Sequence, residues 1–170
     1  TRLSFESAWH RLGGDIMSIT DPASTGIAKG ESLFDVGEML NHYGDLVVLR
    51  DSDDEAIYEM LKSLRIPIIN AGNGIDEHPT QALADWYALA KWNPSLCFGT
   101  LPVTERLHLC IIGTPTQMRS VNSFLRLALA FSHNIRKISI VSEMADPLGT
   151  YFDDFKQHSS VVIECSNDLE

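Results

Sequence analysis

Several side chains in this sequence have the chemistry and placement to hold a small anion: Thr1 with Arg2, Lys29, Arg50, His78 and Arg119. Arg50 closes the apolar run Leu46-Val47-Val48-Leu49. His78 and Gln81 flank Pro79 at a helix start, and Arg119 opens a further helix after Gly113. Helix mouths present unpaired N–H groups and the positive end of the dipole. Guanidinium forks match carboxylate and phosphate geometry. Cations at strand ends together with a helix mouth suit a doubly charged anion such as a phosphate. At the helix mouth a protonated imidazole is disfavoured, so His78 is expected to be neutral and able to donate one ring N–H.

Other chemistries fit less well. Gly72-Asn73-Gly74 invites a dinucleotide reading, but Glu77 occupies the third glycine's place, and no acid follows at the end of a second strand. The Walker pattern is missing. His78 and His108 lack zinc-ligand spacing, so a metal site is not expected. A Ser–His–Asp arrangement cannot be argued without geometry.

The elements that must position these groups alternate. Helices are expected over Ser4 to Leu12, Ser32 to Tyr43 and Asp53 to Leu64. Strands are expected over Asp15 to Thr20, Leu46 to Leu49 and Ile66 to Ile69. Asn70 to Gln81 reads as a glycine-rich crossing into a helix that runs to Trp92. Pro79 stands in its first turn, and Leu83, Trp86, Tyr87 and Ala90 are spaced for one face. Asn93 to Pro102, with two prolines and a glycine, reads as an interdomain linker. Beyond it come a strand over Leu107 to Ile112, a helix over Arg119 to Ser132 and a strand over Lys137 to Val141. A helix over Leu148 to Gln157 and a strand over Val161 to Ile163 complete the series. This pattern predicts an α/β fold of two Rossmann-like domains, parallel sheets flanked by helices, both incomplete. The predicted boundaries are 1–92, a linker over 93–105, and 106–170. In such sheets ligands bind beyond the carboxyl ends of the strands.

Composition narrows the partners. Thirteen Lys+Arg against 23 Asp+Glu give a net charge of −10, which argues against nucleic acid. No apolar run reaches the roughly 18 residues that cross a bilayer, so no membrane partner is expected. Cys97, Cys110 and Cys165 are odd in number and far apart, which predicts buried free thiols in a reducing cytoplasm. The chain opens on Thr1 without a methionine or a recognisable signal peptide, and is expected to be a piece of a longer protein.

Thr1-Arg2-Leu3-Ser4-Phe5-Glu6, followed by His10-Arg11-Leu12-Gly13-Gly14, resembles the first catalytic segment of aspartate carbamoyltransferase catalytic chains, in the aspartate/ornithine carbamoyltransferase family. That family's phosphate motif is Ser-Thr-Arg-Thr-Arg, and this sequence opens on its last two residues. Lys29-Gly30-Glu31-Ser32-Leu33 resembles the family's mobile-loop segment, and Leu46 to Arg50 its strand ending in a substrate-binding arginine. Asn70-Ala71-Gly72 with His78-Pro79-Thr80-Gln81 resembles its most diagnostic motif. Threonine in that motif points to the aspartate branch, since ornithine-type enzymes usually carry cysteine there. Arg119, six residues after Gly113, resembles the arginine for the amino-acid carboxylate.

The resemblance implies that an aspartate amine attacks the carbonyl carbon of carbamoyl phosphate and phosphate leaves, without a cofactor. Thr1, Arg50 and His78 would hydrogen-bond the carbamoyl oxygen as an oxyanion hole. Arg50 would also reach the phosphate, as would the Thr1 backbone N–H. Gln81 would accept from the carbamoyl NH2, and Arg119 would clamp the aspartate carboxylate. Lys29 would serve a neighbouring subunit of a homotrimer. Thr25 or Ser24 would supply a loop hydroxyl, while Arg2 and Glu31 would give structural support, Glu31 by pairing with arginines. Regulatory chains are possible partners.

The sequence also departs from the pattern. The Ser, Thr and Arg that open the phosphate motif are missing, as are later family segments, so the 170-residue piece alone is expected to be inactive. Around Arg119 the family usually has Asp where Thr114 stands, Gly where Met118 stands and His where Asn122 stands. Two alternatives follow: a transcarbamylase with another amino acceptor, or an inactive paralogue kept as a structural subunit.

Overall fold

The computed structural model describes residues 1–21, 26–153 and 160–167. The chain packs into two compact units, Thr1–Gly74 and Ile75–Glu170. In chain order the first holds helix α1 (Arg2–Arg11), a 3-10 turn (Gly26–Lys29), α2 (Leu33–Leu40), strand β1 (Val47–Asp51), α3 (Ala56–Leu61) and β2 (Ile68–Asn73). The second holds α4 (Pro79–Trp92), α5 (Ser95–Phe98), β3 (Leu107–Ile112), α6 (Arg119–Ala130), β4 (Ile135–Val141) and β5 (Val162–Ser166). Pairing is parallel throughout, with order β1-β2 in one unit and β3-β4-β5 in the other. Among the described residues no helix is long and apolar enough to cross a membrane.

In the first unit, α2 and α3 pack through Val36, Ala56, Ile57 and Met60, all buried. Gly37 permits this approach, since a Cβ there would lie 2.4 Å from Ser63 Oγ and 3.0 Å from the Met60 carbonyl oxygen. Ser32 starts α2 with a capping box: its hydroxyl accepts from the Asp35 N–H, and the Asp35 carboxylate accepts from the Ser32 N–H. The helix stops at Leu40 rather than Tyr43. Asn41 is instead used sideways, donating to the Ser63 carbonyl at 3.0 Å and accepting from the Arg65 N–H at 2.6 Å.

Helix α3 is likewise shorter than its periodicity suggests. Asp51 and Asp53 accept from the backbone N–H groups of Asp53 and Glu55, local turns that compete with a helical start. Strand β2 runs further than predicted, because Leu49 pairs with Asn70 and, across a bulge, Asp51 with Asn73. The ladder overrides the poor strand propensity of Asn and Gly. The strand expected over Asp15 to Thr20 does not form. A strand needs a paired neighbour; here Met17 and Ile19 are exposed, and Ser18 donates to Glu6 of α1 at 2.7 Å.

In the second unit α6 crosses over from β3 to β4. Leu109, Ile138 and Ile163 lie in register across the sheet. Leu125, Ala128 and Leu129 of α6 cover Ile111, Ile138 and Ile140, forming one core with Trp86. Residues 93–105, read as a linker, contain helix α5 and two core side chains, Leu96 and Leu101. Buried Asn134 fastens this segment: its amide donates to the Ser95, Leu96 and Gly99 carbonyls at 3.0–3.3 Å, and its oxygen accepts from the Leu101 N–H at 2.8 Å.

Two expectations are corrected here. On α4, Trp86 is 3% exposed, but Leu83 and Tyr87 are 56% and 65% exposed. The buried face instead combines Ala82, Trp86 and the partly buried Leu89, a narrower stripe that fits closely on α6. The thiols are also not all buried: Cys97 is partly covered, while Cys110 and Cys165 are exposed. Cys110 shares the alternation of β3 with His108 and Ile112, which are also exposed. Of the helix expected over Leu148 to Gln157, a 3-10 turn at Thr150–Phe152 is described, and residues 154–157 lie outside the described residues.

Candidate functional site

The predicted groups divide between the two units. Thr1 is the N-cap of α1, and its carbonyl accepts from the N–H groups of Ser4 and Phe5 and from the Ser4 hydroxyl. Arg2 pairs with Glu6 at 3.5 Å, one helical turn along. Lys29 is exposed at the end of the 3-10 turn, which the Glu31 N–H closes onto the Gly26 carbonyl at 3.1 Å. The Glu31 carboxylate lies against Gly26; a Cβ there would fall 1.7 Å from Glu31 Oε2. Thr25 and Ser24 lie outside the described residues.

Arg50 stands one residue before the end of β1, exposed, with Nη1 donating to the Ala71 carbonyl at 3.1 Å. That bond ties the guanidinium to the carboxyl end of β2. The end is itself rigid: Asn70 accepts from the Gly72 N–H and donates to Asn73 Oδ1, while buried Asn73 donates to the Asp54 carbonyl. Gly74 then turns with φ +42°, and a Cβ there would meet Asp54 Oδ1 at 1.8 Å. Among the described residues no hydrogen bond or ion pair joins Thr1, Lys29 and Arg50 to one another.

In the second unit His78 is the N-cap of α4, with Pro79 in the first helical position. Its side chain makes no capping bond; the ring Nδ1 lies 3.5 Å from Thr80 Oγ1. The His78 backbone N–H donates to Ser123 Oγ on α6 at 2.9 Å. Gln81, one turn into α4, is exposed and donates from Nε2 to Asp85 Oδ1 at 2.9 Å. With the amide nitrogen engaged there, its oxygen is the atom left to accept from a ligand N–H.

Arg119 is the first residue of α6, partly buried. The loop before it turns at Gly113, whose φ is +133°. Met118 Sδ fills the space above that glycine, 2.7 Å from where a Cβ would stand. Thr114 and Ser142 hydroxyls bond at 2.7 Å across the ends of β3 and β4. Asn122, in the first turn of α6, has a buried Oδ1 without a hydrogen-bond partner among the described residues.

Sequence reasoning missed Ser123, Arg126 and Glu77. Glu77, next to His78, forms a short ion pair with Arg126. A recess of about 380 Å³ beside this pair is lined chiefly by Pro79, Ala82, Leu83 and Leu127. A signal was present: Arg119, Ser123 and Arg126 are spaced i, i+4, i+7, so polar groups run down one face of α6.

Comparison with known proteins gives this arrangement a context. Residues 1–91 match the family described as aspartate/ornithine carbamoyltransferase, carbamoyl-P binding domain. The aspartate carbamoyltransferase catalytic subunit of Picrophilus torridus is 43% identical over 142 residues, 84% of this chain and 43% of that protein. That of Thermococcus kodakarensis is 36% identical over 170 residues, all of this chain and 51% of that protein. The chain thus spans about half the length of the curated relatives it matches. Among solved structures, aspartate transcarbamoylase from Trypanosoma cruzi in complex with carbamoyl phosphate and aspartate has a TM-score of 0.76 at 30% identity, covering 100% of this chain and 52% of that one. With its parallel sheets, flanking helices and His-Pro-Thr-Gln helix mouth, the chain belongs to the aspartate/ornithine carbamoyltransferase family.

Proposed function

We propose that the protein carrying this chain transfers a carbamoyl group from carbamoyl phosphate to the amine of L-aspartate, a step of de novo pyrimidine biosynthesis. The observation that carries the reading is His78: it stands as the N-cap of α4 in the His-Pro-Thr-Gln stretch, with its backbone anchored to Ser123. The amine nitrogen bonds to the carbonyl carbon, the bond from that carbon to the phosphate oxygen breaks, and N-carbamoyl-L-aspartate and phosphate result. His78, Arg50 and Thr1 donate to the carbonyl oxygen as negative charge builds there. Gln81 accepts from the carbamoyl NH2, Arg50 also holds the phosphate, and Arg119 pairs with the acceptor's carboxylate.

By function, residues 1–92 form the carbamoyl-phosphate part, 93–105 the connection and 106–170 the beginning of the acceptor part. Helix α4 is counted with the first although it packs on α6 of the second unit. The protein works in the cytoplasm as a homotrimer, with Lys29 serving a neighbouring subunit.

A second reading, a different amino acceptor, is favoured by Met118 filling the space over Gly113 and by the unpartnered Asn122 Oδ1. Both lie beside Arg119, where the acceptor would bind. One experiment separates the two. The full-length protein is supplied with carbamoyl phosphate and a panel of amino acids, and a bisubstrate phosphonate bearing an aspartate moiety is titrated in parallel. Carbamoylaspartate formation, with the phosphonate binding far more tightly than carbamoyl phosphate, is the expected result. Turnover with another amine alone would overturn aspartate as acceptor, and no turnover with any amine would overturn the reaction.

A further inference from the structure

Two thioethers stand beyond the carboxyl ends of β3 and β4. Met118 comes just before α6 and Met144 three residues after β4, each 42% exposed. Their sulfurs are held differently. Met144 Sδ accepts from Gln117 Nε2 at 3.4 Å. Met118 Sδ instead lies over Gly113, close enough that a Cβ there would meet it at 2.7 Å. Among the described residues no hydrogen bond reaches Met118 Sδ, so its lone pairs are open to attack an oxidant. Met118 is also the N-cap of α6 and makes no side-chain cap bond. A thioether is a weak acceptor, whereas the first N–H groups of a helix want one. The next residue is Arg119, assigned to the acceptor carboxylate.

We propose that Met118 is a modification site: a hydroperoxide converts its thioether to the sulfoxide, and the new oxygen competes with the acceptor carboxylate for Arg119 and the mouth of α6. The proposal rests on the carbamoyl-transfer reading, in which Arg119 meets an acceptor arriving from solvent. A sulfur lone pair attacks the terminal peroxide oxygen; the S–O bond forms as the O–O bond breaks, and sulfur gives up two electrons. The transferred oxygen passes its proton to the other, which leaves as water or an alcohol. The product side chain is polar and chiral. It no longer suits the close seat on Gly113, while the helix mouth and the guanidinium offer N–H donors. Met144, with a lone pair already shared with Gln117, should react more slowly at equal exposure.

The test compares full-length wild type, Met118→Leu and Met144→Leu before and after dilute hydrogen peroxide. Peptide mass mapping locates the added oxygen, and steady-state kinetics follow both substrates. The map should show oxygen on Met118 ahead of Met144. KM for L-aspartate should rise about 10-fold, as for one charge-assisted hydrogen bond lost, with kcat and KM for carbamoyl phosphate near their starting values. Methionine sulfoxide reductase with a thiol reductant should reverse the rise. Met118→Leu should keep its own KM through the treatment, and Met144→Leu should respond as wild type does. Met17, at 72% exposure, is also open to peroxide, but Met118→Leu retains it and so isolates the effect of residue 118. An unoxidised Met118, an oxidised Met118 with unchanged KM, or an equal loss in Met118→Leu would each overturn the proposal. An untreated wild type without turnover would overturn the reaction reading instead. The map then decides the modification alone: oxygen on Met118 ahead of Met144 supports it, and the reverse order refutes it.

Discussion

Replacing Asn134 by alanine tests whether the segment after α4 is a packed part of its unit. The side chain is fully buried and serves four backbone groups: the N–H of Leu101 and the carbonyls of Ser95, Leu96 and Gly99. Alanine removes all four bonds and supplies nothing in return. The Leu101 N–H and Leu96 carbonyl bonds are both buried, and each group left unpaired costs about 1–3 kcal/mol. The Ser95 and Gly99 bonds are only partly buried, and water can replace much of their value. The two buried groups together come to about 2–6 kcal/mol. Urea unfolding of the full-length protein, followed by far-UV circular dichroism, should show an unchanged slope and a midpoint lower by roughly 1–2 M. Asn134→Asp sharpens the comparison, because it keeps the acceptor for Leu101 but turns an oxygen toward three carbonyl oxygens. It should be destabilised at least as far as alanine at neutral pH. An alanine variant unfolding at the wild-type midpoint would refute the reasoning, and an aspartate variant doing so would show that the donor half contributes nothing.

Arg50→Ala and His78→Ala should each lower kcat in a carbamoylaspartate assay by an amount equivalent to about 2–4 kcal/mol, the range found for single oxyanion-hole donors. Near-normal kcat in both would remove them from the mechanism. Gly74→Ala should destabilise by about 1–3 kcal/mol, since it places a side chain at φ +42° against Asp54 and the Ser52 carbonyl. Thermal unfolding measures this, and an unshifted transition would show that the turn relaxes at little cost.

What was legible in the sequence follows from which forces are local. Strands β1, β3 and β4 and helix α6 show as apolar runs and stripes, because burial selects for them residue by residue. The shortened α3 is a contest between Asx turns and helix, decided by hydrogen bonds that periodicity does not register. Strand β2 continues through Asn70 to Asn73 only because β1 lies beside it, a fact of pairing rather than composition. In the same way, the strand expected at Asp15 to Thr20 had the right side chains and no neighbour. Within the site, His78, Gln81 and Arg119 were legible as a polar helix mouth and a helix-opening cation. Ser123 showed only as part of a polar stripe on α6; its role was not legible, because it depends on one hydroxyl facing a backbone N–H 45 residues earlier. Asn134 carried no local sign at all; its partners are the backbone of a segment more than 30 residues away.

Trp86 gives the contact between α4 and α6 an optical signature. Its ring stacks on Phe131 with centroids 4.7 Å apart and tilts against Phe124, and its buried indole N–H has no hydrogen-bond partner among the described residues. An indole in so dry a setting emits at short wavelength and is shielded from aqueous quenchers, whereas Trp92 is 72% exposed and Trp9 37%. The molecule thus carries a fluorophore at the seam where the helix bearing His78 meets the helix bearing Arg119. A ligand that loosens or tightens that seam would change the blue, unquenched component of the emission, while the red component from the exposed indoles serves as an internal reference.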